Sequence, residues 1–412
     1  MEIHVVQPGE SLYRIAQHYG VPLAAVLRQN ELRDPNRLTP GECILVPVGG
    51  RQYTVRRGDT LASIAEAQGT TVRQLWRDNP FLMGQDRVSP GQTLYLAESG
   101  AYPRKIVLGG VRQGTDARML RRVLPQLDYL AVASFGFDRT GRIPGIHAEI
   151  PVRLARRDGV RPVFVLTMQD ENGRFSGERA RQVLRDPAAR ANLIRSAAQN
   201  AAAGEWAGIM LDFEYLMPED RDVFSDFVRA LKAQLASEKL VLLLALPPKN
   251  CRGQTGLLCE AHDFRALGRN ADLCMLKNAS VALGAPSALA GIGRMNEAVR
   301  YAVSEIPAKK LLCSLPAGGL QWALPWHQGQ RARPLAGAQA AEQAVQVGAP
   351  VRYDDAAQAP HYNFWRGGTE QEVWFEDARS YRAKCALAAE YRLGGVAVPE
   401  AAQWYSQLWG IL

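Results

Sequence analysis

The stretch Gly208–Tyr215 reads Gly-Ile-Met-Leu-Asp-Phe-Glu-Tyr, an apolar run that leads directly into two carboxylates. Successive side chains of a β-strand point to opposite faces, so Met210, Asp212 and Glu214 share one face. The apolar residues between them face the other way, where they can pack on helices. The pattern predicts a buried strand that ends with two acidic side chains projecting together.

Similar apolar runs occur on both sides of this stretch, and amphipathic helical patterns such as Asp220–Ser237 and Met295–Ser304 lie between them. The strand candidates are Ile106–Leu108, Tyr129–Phe135, Pro162–Thr167, Gly208–Glu214, Leu240–Leu246, Ala271–Leu276, Leu311–Leu315 and Gly395–Val398. Eight strand–helix units in about 300 residues predict an α/β protein with a (β/α)8 barrel, also called a TIM barrel. A doubly wound open sheet is the alternative, although no Gly-rich phosphate-binding loop supports it.

The gap before the last strand candidate is much longer than the others. It contains Val351–Asp354 and Glu372–Phe375, which read as extra strands. We therefore expect a barrel domain at residues 103–412 with an inserted α+β subdomain at about residues 322–390. The functional residues of such barrels lie at the C-terminal ends of the strands, which places both carboxylates of the opening stretch in the barrel mouth.

The first hundred residues contain an internal repeat. Val6–Leu12 returns 49 residues later as Val55–Leu61, and Leu38–Gly41 returns as Val88–Gly91. Each copy predicts a strand, two short helices and a strand. The first helix follows a Ser or Thr cap, and the second ends at an Asn that suits a left-handed stop. The short segment Ala97–Pro103 then reads as a linker.

Both units resemble the LysM module, and the resemblance covers residues 2–48 and 52–98. LysM modules bind N-acetylglucosamine-containing glycans, such as peptidoglycan or chitin, in a shallow groove between the first turn and the loop before the second strand. The resemblance implies two grooves lined by Gly9, Glu10, Ser11 and Leu12 with Leu38, Thr39 and Pro40, and by Gly58, Asp59, Thr60 and Leu61 with Val88, Ser89 and Pro90. Alternatively, the Gly, Pro and Leu residues of this set only form the fold. Two weak sites on one chain would add avidity on a polymer.

The stretch Gly208–Glu214 resembles the fourth-strand signature of glycoside hydrolase family 18, Asp-x-x-Asp-x-Asp-x-Glu. Further matches follow in order along the chain. They are Phe175-Ser176, Pro218–Arg221, Leu246–Lys249, His262–Phe264, Trp322–Pro325 and Val373–Ser380. The set is similar to a spore-associated branch of that family, the LysM-bearing N-acetylglucosaminidases that act on spore cortex fragments.

The resemblance implies retaining hydrolysis of N-acetylglucosaminyl β-1,4 linkages, assisted by the acetamido group of the substrate itself. Glu214 would protonate the glycosidic oxygen. The 2-acetamido carbonyl would attack the anomeric carbon, and Asp212 would hold the acetamido N–H and stabilise the developing charge. This chemistry needs no metal and no cofactor.

Five further residues are candidates for substrate binding. They are Tyr215, Asn278, Trp322, Trp374 and Glu376. Tyr215 follows the candidate acid directly, and aromatic rings suit the apolar faces of sugars. Core packing explains each Trp equally well, and an internal salt bridge explains Glu376 equally well.

Several positions depart from the family pattern, and they cluster at the presumed sugar site. Ala207 and Met210 stand where the signature has its first two acids. The Tyr that normally steadies the acetamido group falls on Ala279, and Gly318 and Pro399 lie near positions that normally carry aromatic residues. Together these changes remove aromatic floor area and polar contacts from one subsite.

Lys277 or Asn278 could replace the missing contacts. A lysine in the barrel mouth would also pair with Asp212 or Glu214, which disfavours a general acid. Two hypotheses follow: a hydrolase with an altered substrate range, or a catalytically weakened barrel that acts as a cell-wall or spore-coat binding or structural protein.

The chain has 412 residues, a net charge of +8 and six cysteines, none of them in a Cys-x-x-Cys pair. The charge favours anionic partners, but no motif supports nucleic-acid binding. No His spacing typical of a metal site and no Gly-x-Ser-x-Gly elbow occurs. No apolar run reaches the roughly 20 residues of a membrane span, and no signal peptide is visible. We expect a monomer that is made in the cytoplasm and, by the resemblance, deposited on the coat or cortex of a bacterial spore.

Overall fold

The computed structural model describes residues 1–32, 34–49, 51–82, 84–96, 105–170, 173–278 and 284–412. Two small modules precede a barrel. Module 1 comprises β1 (Glu2–Val5), α1 (Leu12–His18), α2 (Leu23–Asn30) and β2 (Cys43–Val46), and module 2 comprises β3 (Arg51–Thr54), α3 (Leu61–Ala67), α4 (Val72–Asp78) and β4 (Thr93–Leu96). The predicted linker Ala97–Pro103 lies outside the described residues.

In each module the two strands pair antiparallel and the two helices pack against them. Ser11 and Thr60 cap the first helices, as the sequence predicts. The repeated Asn has a different role from the one expected. Asn30 binds the backbone of Leu45 through both ends of its amide, and Asn79 binds Tyr95 in the same way. These buried amides tie the second helix to the second strand.

From residue 105 the described elements follow in this chain order: β5 (Ile106–Arg112), α5 (Ala117–Val123), β6 (Tyr129–Phe135), α6 (Glu149–Arg157), β7 (Arg161–Thr167), α7 (Gly177–Arg185), α8 (Pro187–Ala203), β8 (Gly208–Asp212), α9 (Arg221–Ser237), β9 (Val241–Leu246), α10 (Phe264–Asn270), β10 (Leu273–Leu276), α11 (Ile292–Glu305), β11 (Leu311–Ser314), β12 (Gly318–Leu324), β13 (Arg333–Ala336), α12 (Gly337–Val347), β14 (Arg352–Asp354), β15 (Ala359–Arg366), β16 (Thr369–Trp374), α13 (Ala378–Glu390), β17 (Gly395–Val398) and α14 (Ser406–Ile411).

Eight parallel strands of the described chain close into a barrel in the order β10-β11-β17-β5-β6-β7-β8-β9. Each of them lies at a predicted strand position, and the predicted (β/α)8 barrel is confirmed. The fourth strand ends at Asp212 instead of Glu214, and Tyr215, three residues further on, has a left-handed backbone conformation with φ of 56°.

The barrel has two separate apolar layers. Met210 belongs to the interior cluster, which also contains Val163, Leu243 and Met275. The outward-facing residues of β8 and of the loop after it pack instead in the layer between strands and helices. The predicted alternation along the opening stretch is therefore confirmed, and it aims the side chain of Asp212 into the mouth.

The inserted subdomain is a five-stranded antiparallel sheet in the order β13-β12-β16-β15-β14, with α12 packed on it. Its first strand begins at Gly318, before the expected start near residue 322. Helix α13 falls inside the expected range of the insertion, but it packs on β11 and β17 and completes the barrel. Within the described residues no helix is both long and apolar enough to cross a membrane.

Module 1 contains a buried carboxyl group at a position where module 2 has an amide. Glu42 accepts the N–H of Thr39 at 3.1 Å, and Gln92 accepts the equivalent N–H of Ser89 at 3.0 Å. Burial raises the pKa of Glu42 from 4.5 to about 7. Because the folded pKa lies above the unfolded one, the carboxyl destabilises the fold progressively as the pH rises from about 4.5 through about 7.

We expect Glu42→Gln to remove this loss. The amide keeps the hydrogen bond to Thr39 without a buried charge, so the variant should be up to about 3 kcal/mol more stable than the wild type at pH 8 and equal to it at pH 4. Denaturant unfolding at both pH values measures the difference. Gln92→Glu in module 2 is the matched control and should have a small effect, since that side chain is partly exposed. An unchanged pH dependence in Glu42→Gln would contradict the assignment.

Candidate active site

Two carboxylates and one ammonium group meet in the barrel mouth. Asp212 is the last residue of β8, Glu214 follows two residues later, and Lys277 follows the end of β10. The Nζ atom of Lys277 lies 3.0 and 3.1 Å from the two carboxylate oxygens of Asp212 and 2.7 Å from Oε1 of Glu214. All three side chains are between a fifth and a quarter exposed. The ion pair expected of a lysine in the mouth is therefore present with both acids.

Burial and charge act in opposite directions on this cluster. Burial raises the pKa of Asp212, and Lys277 opposes the rise. Burial alone would lower the pKa of Lys277, but the two carboxylates more than offset it, and the pKa of Lys277 is raised. Lys277 is thus a stable ammonium group. It forms charge-assisted contacts with both carboxylates.

The strand end that carries Lys277 also contains a position that departs from the family pattern. The Tyr of the family pattern was expected to fall on Ala279, which lies outside the described residues. The side chain that reaches Asp212 from this strand end is that of Lys277. Asn278, a predicted substrate-binding residue, is half-buried, and its Nδ2 donates to the carbonyl oxygen of Ser314 at 3.2 Å. This hydrogen bond holds the end of the neighbouring strand, β11.

At two other positions that depart from the family pattern, Pro399 and Gly318, the backbone packs closely against neighbouring strands. A Cβ atom at Gly110 would lie 2.2 Å from the carbonyl oxygen of Pro399, so the chain after β17 lies directly on β5. Gly318 begins the inserted sheet and pairs with Ala336. Neither residue has an aromatic side chain.

Tyr215 and Phe175 form an exposed aromatic pair beside the candidate acid. Their side chains are 52% and 51% exposed, and their ring centroids lie 6.1 Å apart at an interplanar angle of 89°. The sequence identified Tyr215 as a candidate but gave Phe175 only as part of a motif. The signal that could have found Phe175 is its place after β7, the strand next to β8.

Three predicted substrate-binding residues are buried elsewhere. Trp322 is fully buried, and its indole N–H donates to the carbonyl oxygen of Gly284 at 3.2 Å. Trp374 is 8% exposed and stacks on His361 with centroids 4.5 Å apart.

Glu376 is fully buried and pairs with Lys384 at 2.6 Å. Burial raises the pKa of this carboxyl. The expectation that Trp322, Trp374 and Glu376 contact a glycan is therefore corrected, because each is enclosed by protein.

The first turns of the two modules are built alike. Glu10 accepts the N–H of Gln7 at 2.7 Å and contacts the His4 ring at 2.8 Å, and both contacts lower the pKa of Glu10. Asp59 accepts the N–H of Arg56 and the hydroxyl of Tyr53, each at 2.7 Å, with the same effect on its pKa.

Both acids therefore stabilise their own turns. Among the other predicted groove residues, Gly9, Ser11, Gly58 and Thr60 are exposed. Over the described residues, no group of three or more His, Cys, Asp or Glu side chains is arranged to hold a metal ion.

The pattern of the glycosyl hydrolases family 18 matches residues 173–402, more than half of the chain. The chain belongs to this family. It is a glycoside hydrolase by membership, and the LysM domain pattern matches residues 4–47 and 53–97.

Curated relatives of this family 18 protein match it over its whole length. A cortical fragment-lytic enzyme of Bacillus cereus is 31% identical over all of this chain and 97% of its own length. A protein of the same description from Bacillus subtilis strain 168 is 32% identical with the same coverage. Among solved structures, the spore cortex-lytic enzyme SleL of Bacillus megaterium QM B1551 superimposes with a TM-score of 0.84 at 30% identity, over 99% of this chain and 96% of that one.

Proposed function

We propose that the protein hydrolyses N-acetylglucosaminyl β-1,4 linkages in spore cortex peptidoglycan or its fragments. The observation that carries the proposal is the placement of Asp212 and Glu214 together in the mouth, at the end of β8. Two further observations support it: the family, and the cortex-lytic descriptions of relatives that match the full chain. By the same relatives, the protein acts at the bacterial spore.

The proposed mechanism is retaining and assisted by the substrate. Glu214 donates a proton to the leaving glycosidic oxygen while the acetamido carbonyl of the sugar attacks the anomeric carbon. Asp212 accepts the acetamido N–H and stabilises the positive charge that develops on that group. In the described state Lys277 donates to both carboxylates, so an incoming acetamido N–H has to replace one of these contacts. This exchange lowers the rate, because a cation in the site opposes a second developing cation.

A second candidate function is that of a wall-binding protein whose barrel is catalytically weak. The contact of Lys277 with both acids favours it, since the ammonium neutralises the groups that the reaction needs. Incubation with muramic-δ-lactam-containing cortex fragments and with chitin oligomers separates the two candidates. Released products support the hydrolase, and binding to insoluble peptidoglycan without products supports the binding protein.

The exposed pair Phe175 and Tyr215 should contact the substrate. We expect Phe175→Ala and Tyr215→Ala each to raise KM for soluble oligomers about fivefold with little change in kcat, because stacking contributes about 1 kcal/mol and is similar in ground and transition states. Steady-state kinetics on oligomers of increasing length measure the effect. Tyr13→Ala, an exposed tyrosine in module 1 at 63% exposure, is the control and should change neither parameter. A fall in kcat alone would contradict the assignment.

A further inference from the structure

The two modules share a sequence pattern but meet the rest of the protein through different faces. In module 1 the contact surface is the loop before the second strand, which the LysM resemblance makes one wall of the groove. Thr39 donates its hydroxyl to the carbonyl oxygen of Ala349 at 2.9 Å, and the N–H of Val351 donates to the carbonyl oxygen of Pro40 at 2.9 Å. The wall is therefore hydrogen-bonded to the inserted subdomain.

The contact covers the middle of this wall. Thr39 is 3% exposed, and a Cβ atom at Gly41 would lie 1.8 Å from the carbonyl oxygen of Val351. Arg379 donates to the carbonyl oxygen of Gly41 at 3.1 Å and holds the buried carboxylate of Asp377 at 2.6 Å. A sugar ring could reach the backbone of this loop only if residues 349–351 moved away.

The same wall of module 2 is open. Ser89, Pro90 and Gly91 are exposed, and a Cβ atom at Gly91 would meet nothing within 4 Å. The second groove therefore keeps both walls accessible, with Gly58 and Thr60 exposed on the other side.

Module 2 is attached to the barrel through its second helix and the loop after it. Arg77 of α4 donates to the carbonyl oxygen of Pro125 at 2.8 Å, and Arg73 donates to the same atom at 3.3 Å. A Cβ atom at Gly84 would lie 2.4 Å from the carbonyl oxygen of Arg121. This attachment holds module 2 on the barrel and turns its groove outward.

Three further contacts of module 1 are buried. The thiol of Cys43 lies 3.2 Å from the carboxylate of Asp377, and Gln407 donates to the carbonyl oxygen of Cys43 at 2.7 Å. Ser406 donates to the carbonyl oxygen of Asn30 at 3.2 Å. Buried polar pairs of this kind are costly to separate, because each partner left behind is unsatisfied.

We propose that the two modules have different roles. Module 2 carries the recognition of N-acetylglucosamine-containing glycan chains through its open groove. Module 1 is a structural brace between the inserted subdomain and the last helix, and it does not bind glycan. The inference rests on the glycan binding contained in the proposed function and assigns that binding to one of two similar sites.

A matched pair of substitutions tests the assignment. Ser11 and Thr60 are exposed helix caps at equivalent positions of the two first walls, so Ser11→Trp and Thr60→Trp place the same bulk in each groove. In co-sedimentation of the full chain with insoluble peptidoglycan, we expect Thr60→Trp to weaken binding at least tenfold and Ser11→Trp to leave it within twofold. Ser89→Trp, on the second wall of module 2, should repeat the result of Thr60→Trp.

The outcomes are separable. Equal loss in Ser11→Trp and Thr60→Trp overturns the division of roles but leaves glycan binding intact. No loss in either module 2 variant overturns it as well. If the wild type itself does not sediment with peptidoglycan, the glycan binding of the proposed function fails, and the assignment fails with it.

The structural role proposed for module 1 can be tested separately, by thermal unfolding. Arg379→Met removes the contact to Gly41 and leaves Asp377 buried without its cation. We expect the midpoint of thermal unfolding of the full chain to fall by several degrees while co-sedimentation stays within twofold of the wild type. An unchanged midpoint contradicts the brace, and a loss of sedimentation at an unchanged midpoint contradicts the assignment of binding to module 2.

Discussion

Glu214→Gln should lower the hydrolysis of cortex fragments by about 10²–10⁴-fold, the usual contribution of a general acid. Glutamine keeps the shape of the side chain and its place 2.7 Å from Lys277 but cannot give up a proton. Product release, followed by chromatography of the digested fragments, measures the loss. Binding to insoluble peptidoglycan should remain at the wild-type level, because the proposed glycan groove lies in module 2.

Glu219→Gln is the matched control for this substitution. Glu219 is an exposed carboxylate five residues further along the chain, so the same chemical change is made outside the mouth. It should retain wild-type hydrolysis. Equal activity of Glu214→Gln and the wild type would show that another group supplies the proton, and absence of activity in every protein would favour the second candidate function.

Lys277→Met should raise kcat/KM about tenfold, a change of roughly 1.4 kcal/mol in the barrier. The substitution removes the ammonium that contacts both carboxylates and competes with the substrate for Asp212. Kinetics on cortex fragments from pH 4 to pH 8 measure the change. A decrease in kcat/KM would instead make Lys277 part of the catalytic machinery.

The same variant should be less stable, in a pH-dependent way. Burial already raises the pKa of Asp212, and Lys277 opposes that rise, so its removal raises the pKa further. A carboxyl whose folded pKa lies above the unfolded one loses stability as the pH rises. We therefore expect near wild-type stability at pH 4 and a loss of about 3 kcal/mol at pH 7.

Lys310→Met is the control for the stability of Lys277→Met. Lys310 lies at the opposite end of the barrel and donates to the backbone carbonyl oxygens of Gly268 and Ala271. It contacts no carboxylate in these bonds, so its loss of stability should not depend on pH in this way. A pH-independent loss in Lys277→Met would contradict the ion-pair account.

The barrel could be predicted from the sequence because its strands are short, apolar and regularly separated by amphipathic helices. The alternation that turns Asp212 into the mouth is a local property of one strand, and it holds. Whether Trp322, Trp374 and Glu376 are buried or exposed depends on which face of the inserted sheet is covered. The alternation of residues along a strand does not specify that face. The burial of Trp322 and Trp374 follows from packing between segments far apart in the chain. Glu376 instead pairs with Lys384, eight residues further on.

The difference in groove accessibility between the two modules could also not be predicted from the sequence. The repeat predicts two equal grooves, since the turn and loop residues recur at the same spacing. The structure distinguishes them through Ala349 and Val351, which lie in another domain and carry no motif. A local difference between the modules is Glu42 in place of Gln92, a carboxyl that is buried in module 1.

The contacts between module 1 and the rest of the protein also affect the order of folding during synthesis. Thr39 forms its hydrogen bond with a residue 310 positions further along the chain, and Asn30 with one 376 positions further along. During synthesis the amino-terminal module emerges first, and domains generally fold in that order. Module 1 can fold early, but part of its interface stays open to solvent until α14 has been made. Closure of that interface therefore follows the synthesis of the barrel, and a nascent chain that terminates before α14 leaves this part of module 1 uncovered.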